Sequence, residues 1–222
     1  MVDMIITHYG RQHFKLQVGD LTFAINPVSK EGKGKVSKYG ADVTLVTTNH
    51  PDYNGVEQTE LGSKTPFVIR GAGEYEVQNI FIKGFSTVTK LKDDQAKHSV
   101  ARGKEKEYQN TSYVFVIDGI RVTFLGALST MLAPEHKEII DETDVLFIPV
   151  GEDGFLLNAY DAQKLSVSLE PKLVIPMDYN EQSLPIFLKE AGAEKIEPVE
   201  KLTIKKKDIE GKLGEVVLFV EL

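Results

Sequence analysis

The sequence predicts a mixed α/β fold, and three observations carry that prediction. Apolar and polar residues alternate on both sides of Gly19-Asp20 and again around Asp118-Gly119, as in antiparallel hairpins closed by two-residue turns. Unbroken apolar runs at 43–46 and 145–150 indicate strands that are covered on both faces. Helix signals come mainly late in the chain, so the strict βαβα alternation of a doubly wound sheet is not expected.

The strands follow from these patterns in chain order. The first turn joins predicted strands at 14–18 and 21–25, and the second joins strands at 113–117 and 120–124. The two unbroken runs add central strands, and two further alternating stretches near the end predict strands at 202–204 and 216–222.

Three helix starts are visible. Pro134 suits a first helical turn, Asn158 can cap a helix with Asp161 at its third position, and Ser183 opens a short helix that Gly192 can close. Segments 27–40 and 90–110 are rich in charged residues and have little to bury, which predicts long loops. Each is either an ordinary solvated loop or a lid over a binding site.

Composition excludes several classes of protein. The 222 residues fit one domain spanning 1–222, with 26 basic against 33 acidic side chains and a net charge of −7. That charge gives no attractive field for nucleic acid or for an anionic membrane. The chain has no cysteine, which removes disulfides, thiolate zinc sites and thiol nucleophiles. We find neither a signal sequence nor an apolar run of about 18 to 20 residues, so we expect a soluble cytoplasmic protein.

The segment whose residues most suggest a functional site is the loop TTNHPDYNG at 47–55, which follows the buried strand at 43–46. A strand that ends in a loop with His50 and Asp52 two positions apart resembles the H-x-H-x-D-H signature of the metallo-β-lactamase superfamily. Segments similar to that superfamily recur in order over about residues 4–179, namely FAINP at 23–27, GEYEV at 73–77, 119–126 and PKLVIPM at 171–177. The resemblance is greatest to its ascorbate-phosphate-lactonase-like branch, and it implies a four-layer αββα sandwich with metals at one edge.

The resemblance also implies which positions would hold two zinc ions around a bridging water. His50 and Asp52 match the second histidine and the aspartate of the signature. The five other positions are changed and are occupied by Thr48, Tyr53, Thr89, Ala127 and Asp178, of which only Asp178 coordinates metals well. Because each zinc ion needs three protein ligands beside its water, a dinuclear zinc site is not expected.

Three readings of the remaining trio stay open. His50, Asp52 and Asp178 could converge on one divalent cation such as magnesium or manganese. His50 and Asp52 could instead hydrogen-bond loop backbone and hold the shape of the pocket. A metal-free pocket could also bind a ligand through these groups. The first hypothesis for function is therefore a binding or scaffolding protein without zinc, and its rival is a hydrolase of a small ester, lactone or phosphorylated substrate that uses one cation.

The other histidines suggest little. His8, His13 and His136 are expected at the surface, and His98 lies in the charged segment 90–110, from which it could reach the pocket. Gly71-Ala72-Gly73 predicts a turn rather than a phosphate-binding loop. The expected partner is a small molecule or a protein of unknown identity, with no nucleic acid and no membrane. Homo-oligomerisation through the strand at 216–222 is an open alternative to a buried internal strand.

Overall fold

The computed structural model describes residues 2–92, 105–151 and 155–222. In chain order, the strands are β1 (Met4–His8), β2 (Phe14–Val18), β3 (Leu21–Ile25), β4 (Val43–Val46), β5 (Phe67–Arg70), β6 (Gly73–Val77), β7 (Ile80–Lys92), β8 (Glu105–Ile117), β9 (Ile120–Phe124), β10 (Val145–Pro149), β11 (Leu173–Met177), β12 (Lys201–Ile204) and β13 (Glu215–Val216). The helices are α1 (Pro134–Ile140), α2 (Ala159–Leu169) and α3 (Ser183–Glu190), and 3₁₀ turns occur at Val56–Gln58 and Lys206–Ile209.

The strands form two mixed sheets. The first has the order β12-β1-β2-β3-β4-β5 and the second the order β13-β11-β10-β9-β8-β7-β6. The predicted hairpins are confirmed: Val18 pairs with Leu21, and Ile117 pairs with Ile120 across a turn in which Asp118 and Gly119 both have positive φ. Positive φ at both positions is the requirement of a type I′ turn, which explains the Asp-Gly sequence.

The main core lies between the two sheets and is dominated by aromatic side chains. The Phe14 ring of the first sheet meets the Phe147 ring of the second edge-on, with centroids 4.8 Å apart. Phe23 stacks on Phe115 with a centroid distance of 5.7 Å. All four side chains are almost fully buried, so burial of apolar area across this interface is the main force that holds the sheets together.

The two outer layers of the sandwich differ in secondary structure. Helices α1, α2 and α3 lie over the second sheet, in a separate apolar cluster that includes Leu146, Leu165 and Phe187. Over the first sheet, the described residues place loop segments and the 3₁₀ turn at 56–58, anchored where the hydroxyl groups of Thr44 and Thr59 lie 2.8 Å apart. The arrangement is the expected αββα sandwich, with one outer layer reduced to irregular chain.

Two predicted segments were wrong in extent. The predicted loop at 90–110 is partly strand, because β7 and β8 form a long hairpin whose register reaches Lys92↔Glu105. Of the predicted strand at 216–222, only Val216 lies in a strand, as the second residue of β13 beside β11, and Phe219 forms an isolated bridge with Val199. Residues 216–219 are buried because they close the apolar end of the second sheet, whereas Val220 and Leu222 are exposed.

The predicted surface positions of His8 and His13 were also wrong, because both side chains are buried. His8 stacks on Phe14, and His13 lies against the rings of Tyr9 and Tyr39. The polar side of β2 is therefore covered by neighbouring loops, which an alternating pattern within one strand does not reveal. His136 is half-buried and stacks on Phe85, and His98 lies outside the described residues.

Candidate functional site

A pocket of about 290 Å³ lies beyond the ends of β4, β10 and β11, at one edge of the sandwich. Loop 47–55 follows β4, Gly151 follows β10, and Asp178 follows β11 directly. The three residues singled out from the sequence, His50, Asp52 and Asp178, all line this pocket. The other described residues that line it are Arg11, Lys33, Tyr53, Leu91, Gly151, Phe155, Leu156, Tyr179 and Asn180.

Arg11 bridges the two carboxylates of the pocket. Its Nη2 atom lies 3.4 Å from Asp52 Oδ2 and 3.3 Å from Asp178 Oδ1. The two carboxylate side chains are only 5% and 8% exposed, whereas the Arg11 side chain is 33% exposed. Burial alone would lower the pKa of Arg11, but the carboxylates of Asp178 and Asp52 outweigh it and raise this pKa above its usual value. The guanidinium is thus a permanent positive charge between two buried negative charges.

Asp178 is held in place by further hydrogen bonds. The Tyr53 hydroxyl donates to Asp178 Oδ2 at 2.6 Å, and Gln12 Nε2 donates to the same oxygen at 3.0 Å. Complete burial, together with the nearby negative charge of Asp178, raises the pKa of Tyr53 well above its usual value, so its hydroxyl remains a donor. The backbone of Asp178 has a φ of 53°, a left-handed conformation that aspartate tolerates better than most residues.

Behind Asp178, a buried polar network leads to loop 47–55. Asn26 Nδ2 donates to Gln12 Oε1 at 3.0 Å and to Thr47 Oγ1 at 2.8 Å, while Asn26 Oδ1 accepts the Thr47 backbone N–H at 2.8 Å. Asn26 has a φ of 48°, which also suits asparagine. This network fixes the start of loop 47–55 relative to the carboxylate of Asp178.

His50 and Asp52 bond to loop backbone. Asp52 Oδ1 accepts the Lys33 backbone N–H at 2.6 Å, and the Asp52 backbone N–H donates to His50 Nδ1 at 3.3 Å. The His50 ring lies near the rings of Tyr53 and Tyr108, with centroid distances of 5.8 and 5.6 Å. These contacts agree with the interpretation in which the two residues maintain the shape of the pocket.

The other changed positions are buried in surroundings of different kinds. Thr48 Oγ1 donates to Asn110 Oδ1 at 3.1 Å, and the Ala127 backbone N–H donates to the same oxygen at 2.9 Å. Ala127 is fully buried in a small apolar cluster with Tyr53, Leu91 and Leu156. Thr89 is also fully buried, and its hydroxyl has no hydrogen-bond partner within the described residues.

Comparison with known proteins identifies the family. The model of the beta-lactamase superfamily domain matches residues 5–178, which is most of the chain. The chain belongs to the beta-lactamase superfamily. A relative from Lysinibacillus sphaericus, named a UPF0173 metal-dependent hydrolase, is 27% identical over 198 residues, with 80% of this chain and 86% of the relative covered. A relative from Listeria innocua that carries the same description is 26% identical over 206 residues, with equal coverage.

Solved structures of superfamily proteins share the fold. A Thermotoga maritima protein, presented as a candidate zinc-dependent hydrolase of the metallo-β-lactamase superfamily, has a TM-score of 0.74 and 26% identity. The match covers 98% of this chain and 99% of that one. A candidate metal-dependent hydrolase from Parabacteroides distasonis has a TM-score of 0.65 and 18% identity, with 99% and 93% covered, and supports the fold alone.

The donor set does not fit the dinuclear zinc site that the superfamily implies. Within the described ranges 2–92, 105–151 and 155–222, no three His, Asp or Glu side chains are grouped so that they could hold a metal ion. Ala127 presents only a methyl group, Thr48 is engaged with Asn110, and a guanidinium stands between Asp52 and Asp178. A zinc ion needs nitrogen or oxygen ligands at about 2.0–2.2 Å and would have to displace that positive charge.

Sequence reasoning missed Arg11, Gln12 and Asn110. Arg11 lies in the turn between β1 and β2, far along the chain from its two carboxylate partners, and no spacing motif in the sequence predicts its contact with them. Asn26 carried a signal, since it replaces an aspartate in a segment that resembles the superfamily.

Among the described residues, no helix is both long and apolar enough to cross a lipid bilayer.

Proposed function

We propose that this superfamily member is a binding or scaffolding protein that holds no dinuclear zinc centre and generates no metal-bound hydroxide. The observation that carries the proposal is the Arg11 guanidinium between Asp52 and Asp178. Its positive charge already neutralises part of the carboxylate charge and lies between the two groups, so a divalent cation at the same oxygens meets repulsion from the guanidinium rather than a vacant negative site. The proposed partner is a small molecule or a protein, and neither a nucleic acid nor a membrane. Homo-oligomerisation stays a prediction.

Metal content after purification tests the proposal. Protein purified without chelator from zinc-supplemented cells is expected to retain less than about 0.2 equivalents of zinc, manganese or iron, measured by inductively coupled plasma mass spectrometry. A zinc carbonic anhydrase purified in parallel controls for metal supply. The protein is also expected to show no hydrolysis of phosphoesters, lactones or β-lactams above buffer. Retention of about two zinc ions together with hydrolysis would refute the proposal.

A matched pair of variants tests the role of Arg11. Arg11→Ala is expected to raise the affinity for added zinc or manganese at least about tenfold, because it leaves two buried carboxylates without a counter-charge. Arg70→Ala removes the same charge from an exposed edge strand and is expected to leave metal affinity unchanged. Equal metal affinity in both variants and in the wild type would show that Arg11 does not exclude cations.

The second candidate is a metal-dependent hydrolase that uses one divalent cation on His50, Asp52 and Asp178. It is favoured by the names of the relatives and by the position of all three side chains on one pocket. It requires Arg11 to leave the carboxylates, and it predicts one ion within about 2.0–2.6 Å of the three side chains in the metal-loaded protein. The metal analysis above distinguishes it, because it predicts about one equivalent of metal together with activity.

A further inference from the structure

In each of the two pocket carboxylates of Asp52 and Asp178, one oxygen accepts hydrogen bonds and the other faces Arg11. Asp52 Oδ1 accepts the Lys33 backbone N–H, and Asp178 Oδ2 accepts from Tyr53 and Gln12. The remaining oxygen of each carboxylate faces Arg11 Nη2. A ligand that offers only donors would therefore compete with bonds that the protein already makes.

Arg11, in contrast, keeps unused donors. All of its hydrogen bonds and ion pairs with described residues use Nη2, so Nη1 donates to none of them; Nε also has no partner among them but is itself buried. A guanidinium carries five N–H donors in a planar fork that matches carboxylate and phosphate oxygens. One third of this side chain is exposed, and it lines the cavity.

Among the described residues that line the cavity, the more exposed charged side chains are positive. The carboxylates of Asp52 and Asp178 are almost fully buried, whereas Arg11 is partly exposed and Lys33 is exposed beside the same cavity. Arg11 and the two carboxylates together have a formal charge of −1, which by itself would attract a cationic ligand. The burial of the carboxylates and the occupation of their oxygens favour the anion.

Part of the cavity wall beside Arg11 is apolar. Leu91, Phe155, Leu156 and the ring of Tyr179 line it together with Arg11. Burial raises the pKa of Tyr179 to about 12, so this ring adds no negative charge at neutral pH. A volume of about 290 Å³ suits a small organic molecule rather than an inorganic ion alone.

We propose that this pocket binds a small organic anion, with a carboxylate or phosphate group on the Arg11 guanidinium and an apolar body against Leu91, Phe155 and Leu156. The inference rests on the proposed function in one respect, namely that the guanidinium and not a metal ion occupies the pocket. Carboxylate and phosphate share the oxygen geometry that an arginine fork recognises.

Four probes with one apolar body and different head groups test this assignment. Hexanoate, hexyl phosphate, hexylammonium and hexanol are titrated into protein that has been passed over a chelating resin, with binding followed by calorimetry and saturation-transfer NMR. Hexanoate or hexyl phosphate is expected to bind at least about tenfold more tightly than hexylammonium and hexanol. The difference in affinity between hexanoate and hexyl phosphate shows whether the pocket prefers a carboxylate or a phosphate. Preference for hexylammonium, or equal binding of all four probes, would overturn the proposal.

Variants locate the binding. Arg11→Gln is expected to raise the Kd of the better anion at least about tenfold, while Arg70→Gln, the same change on an exposed strand, leaves it unaltered. If Arg11→Gln does not fold, as judged by circular dichroism, Lys33→Glu serves instead, with the nearby exposed Lys30→Glu as its control. Lys33→Glu is expected to raise the Kd about fivefold. Equal effects of a variant and its control would contradict this location.

The metal state separates the two proposals. Anion binding that appears only after zinc is added, and that is unchanged in Arg11→Gln, would overturn both the proposed function and the pocket assignment. Anion binding by metal-free protein that is lost in Arg11→Gln supports the pocket assignment. If such protein also takes up two zinc ions, the proposed function alone fails.

Discussion

Asn110 joins three segments of the site through one side-chain amide. Its Nδ2 donates to Thr87 Oγ1 at 2.8 Å and to the Leu125 carbonyl at 2.9 Å, while its Oδ1 accepts from Thr48 and from the Ala127 backbone. Every polar atom of this buried amide is therefore satisfied. Gly126 lets the chain approach so closely, since a Cβ there would strike Asn110 Oδ1 and Thr47, and its φ of 66° also suits glycine.

Replacing Asn110 tests this network. Asn110→Ala is expected to lower the free energy of unfolding by about 2–3 kcal/mol, because it leaves buried donors and acceptors without partners. Urea denaturation followed by circular dichroism measures the loss. Asn49→Ala removes an exposed asparagine from the adjoining loop and should change stability by less than about 0.5 kcal/mol. Similar losses in both variants would mean that Asn110 contributes no more than a surface residue.

Ala127 marks the position at which the superfamily resemblance implies a bridging carboxylate. It is packed among Tyr53, Leu91 and Leu156, so Ala127→Asp is expected to destabilise the protein by about 3 kcal/mol through burial of an unpaired charge. The exposed Thr130→Asp adds the same charge nearby and is expected to be nearly neutral. Thermal denaturation with and without zinc measures both variants. An Ala127→Asp protein that is fully stable only with zinc would show that this position still belongs to a metal site.

His13 gives stability a dependence on pH. Burial, with smaller contributions from His8 and Lys15, lowers the pKa of His13 to about 3, while an unfolded chain has the ordinary value near 6.5. Below pH 6.5, His13 therefore binds a proton in the unfolded chain, whereas in the folded protein it stays neutral down to about pH 3. The free energy of unfolding is expected to fall with pH, by up to about 2 kcal/mol between pH 6.5 and 5 from this side chain.

Urea denaturation at a series of pH values checks this expectation. His13→Gln should flatten the decline below pH 6.5, since its side chain does not titrate. His136→Gln removes a half-buried histidine on α1 and serves as the matched control. If His13→Gln follows the wild-type curve, another group must account for the acid sensitivity.

At the scale of elements, local patterns predicted most of the structure. The two hairpins, the two buried central strands and the start of α2 follow from turn chemistry, apolar runs and a capping residue, all of which act over a few neighbouring residues. The ends of β7 and β8 could not be predicted from their charged sequence, because pairing between the two long strands determines that conformation. Likewise, the burial of His13 depends on Tyr39, which is distant in sequence.

The cap of α2 tests the element-scale account. Asn158 Oδ1 accepts the Asp161 backbone N–H at 2.9 Å, which satisfies a donor at the start of the helix. Asn158→Ala is expected to cost about 1 kcal/mol of folding free energy in urea denaturation. Lys164→Ala, at an exposed position of the same helix, should cost less than about 0.5 kcal/mol. Equal effects of the two variants would contradict a capping role.

At the scale of the whole molecule, the sequence singled out three side chains that the structure brings to one pocket, but it did not predict their contact with Arg11. The resemblance to the superfamily brought His50, Asp52 and Asp178 to one pocket, and the structure places all three there. The ion pairs of Arg11 depend on how the β1–β2 turn meets loop 47–55 and the end of β11, and no local pattern encodes that meeting. The narrower lactonase-like branch, the cytoplasmic location and the single-domain assignment stay predictions.

The oligomeric state belongs to the same scale. Burial of residues 216–219 removes most of the surface that the sequence offered for contact between subunits, and Val220 and Leu222 remain exposed. Size-exclusion chromatography with light scattering would separate a monomer of 24.7 kDa from a dimer.

The central claim is that a guanidinium, and not a pair of metal ions, lies between the carboxylates of the pocket. Crystals grown in millimolar zinc, with diffraction recorded on both sides of the zinc absorption edge, test it most directly. We expect no anomalous peak between Asp52 and Asp178 and density for the Arg11 side chain in that place. Two strong peaks about 3.5–4 Å apart in the pocket, with Arg11 turned away, would contradict the account.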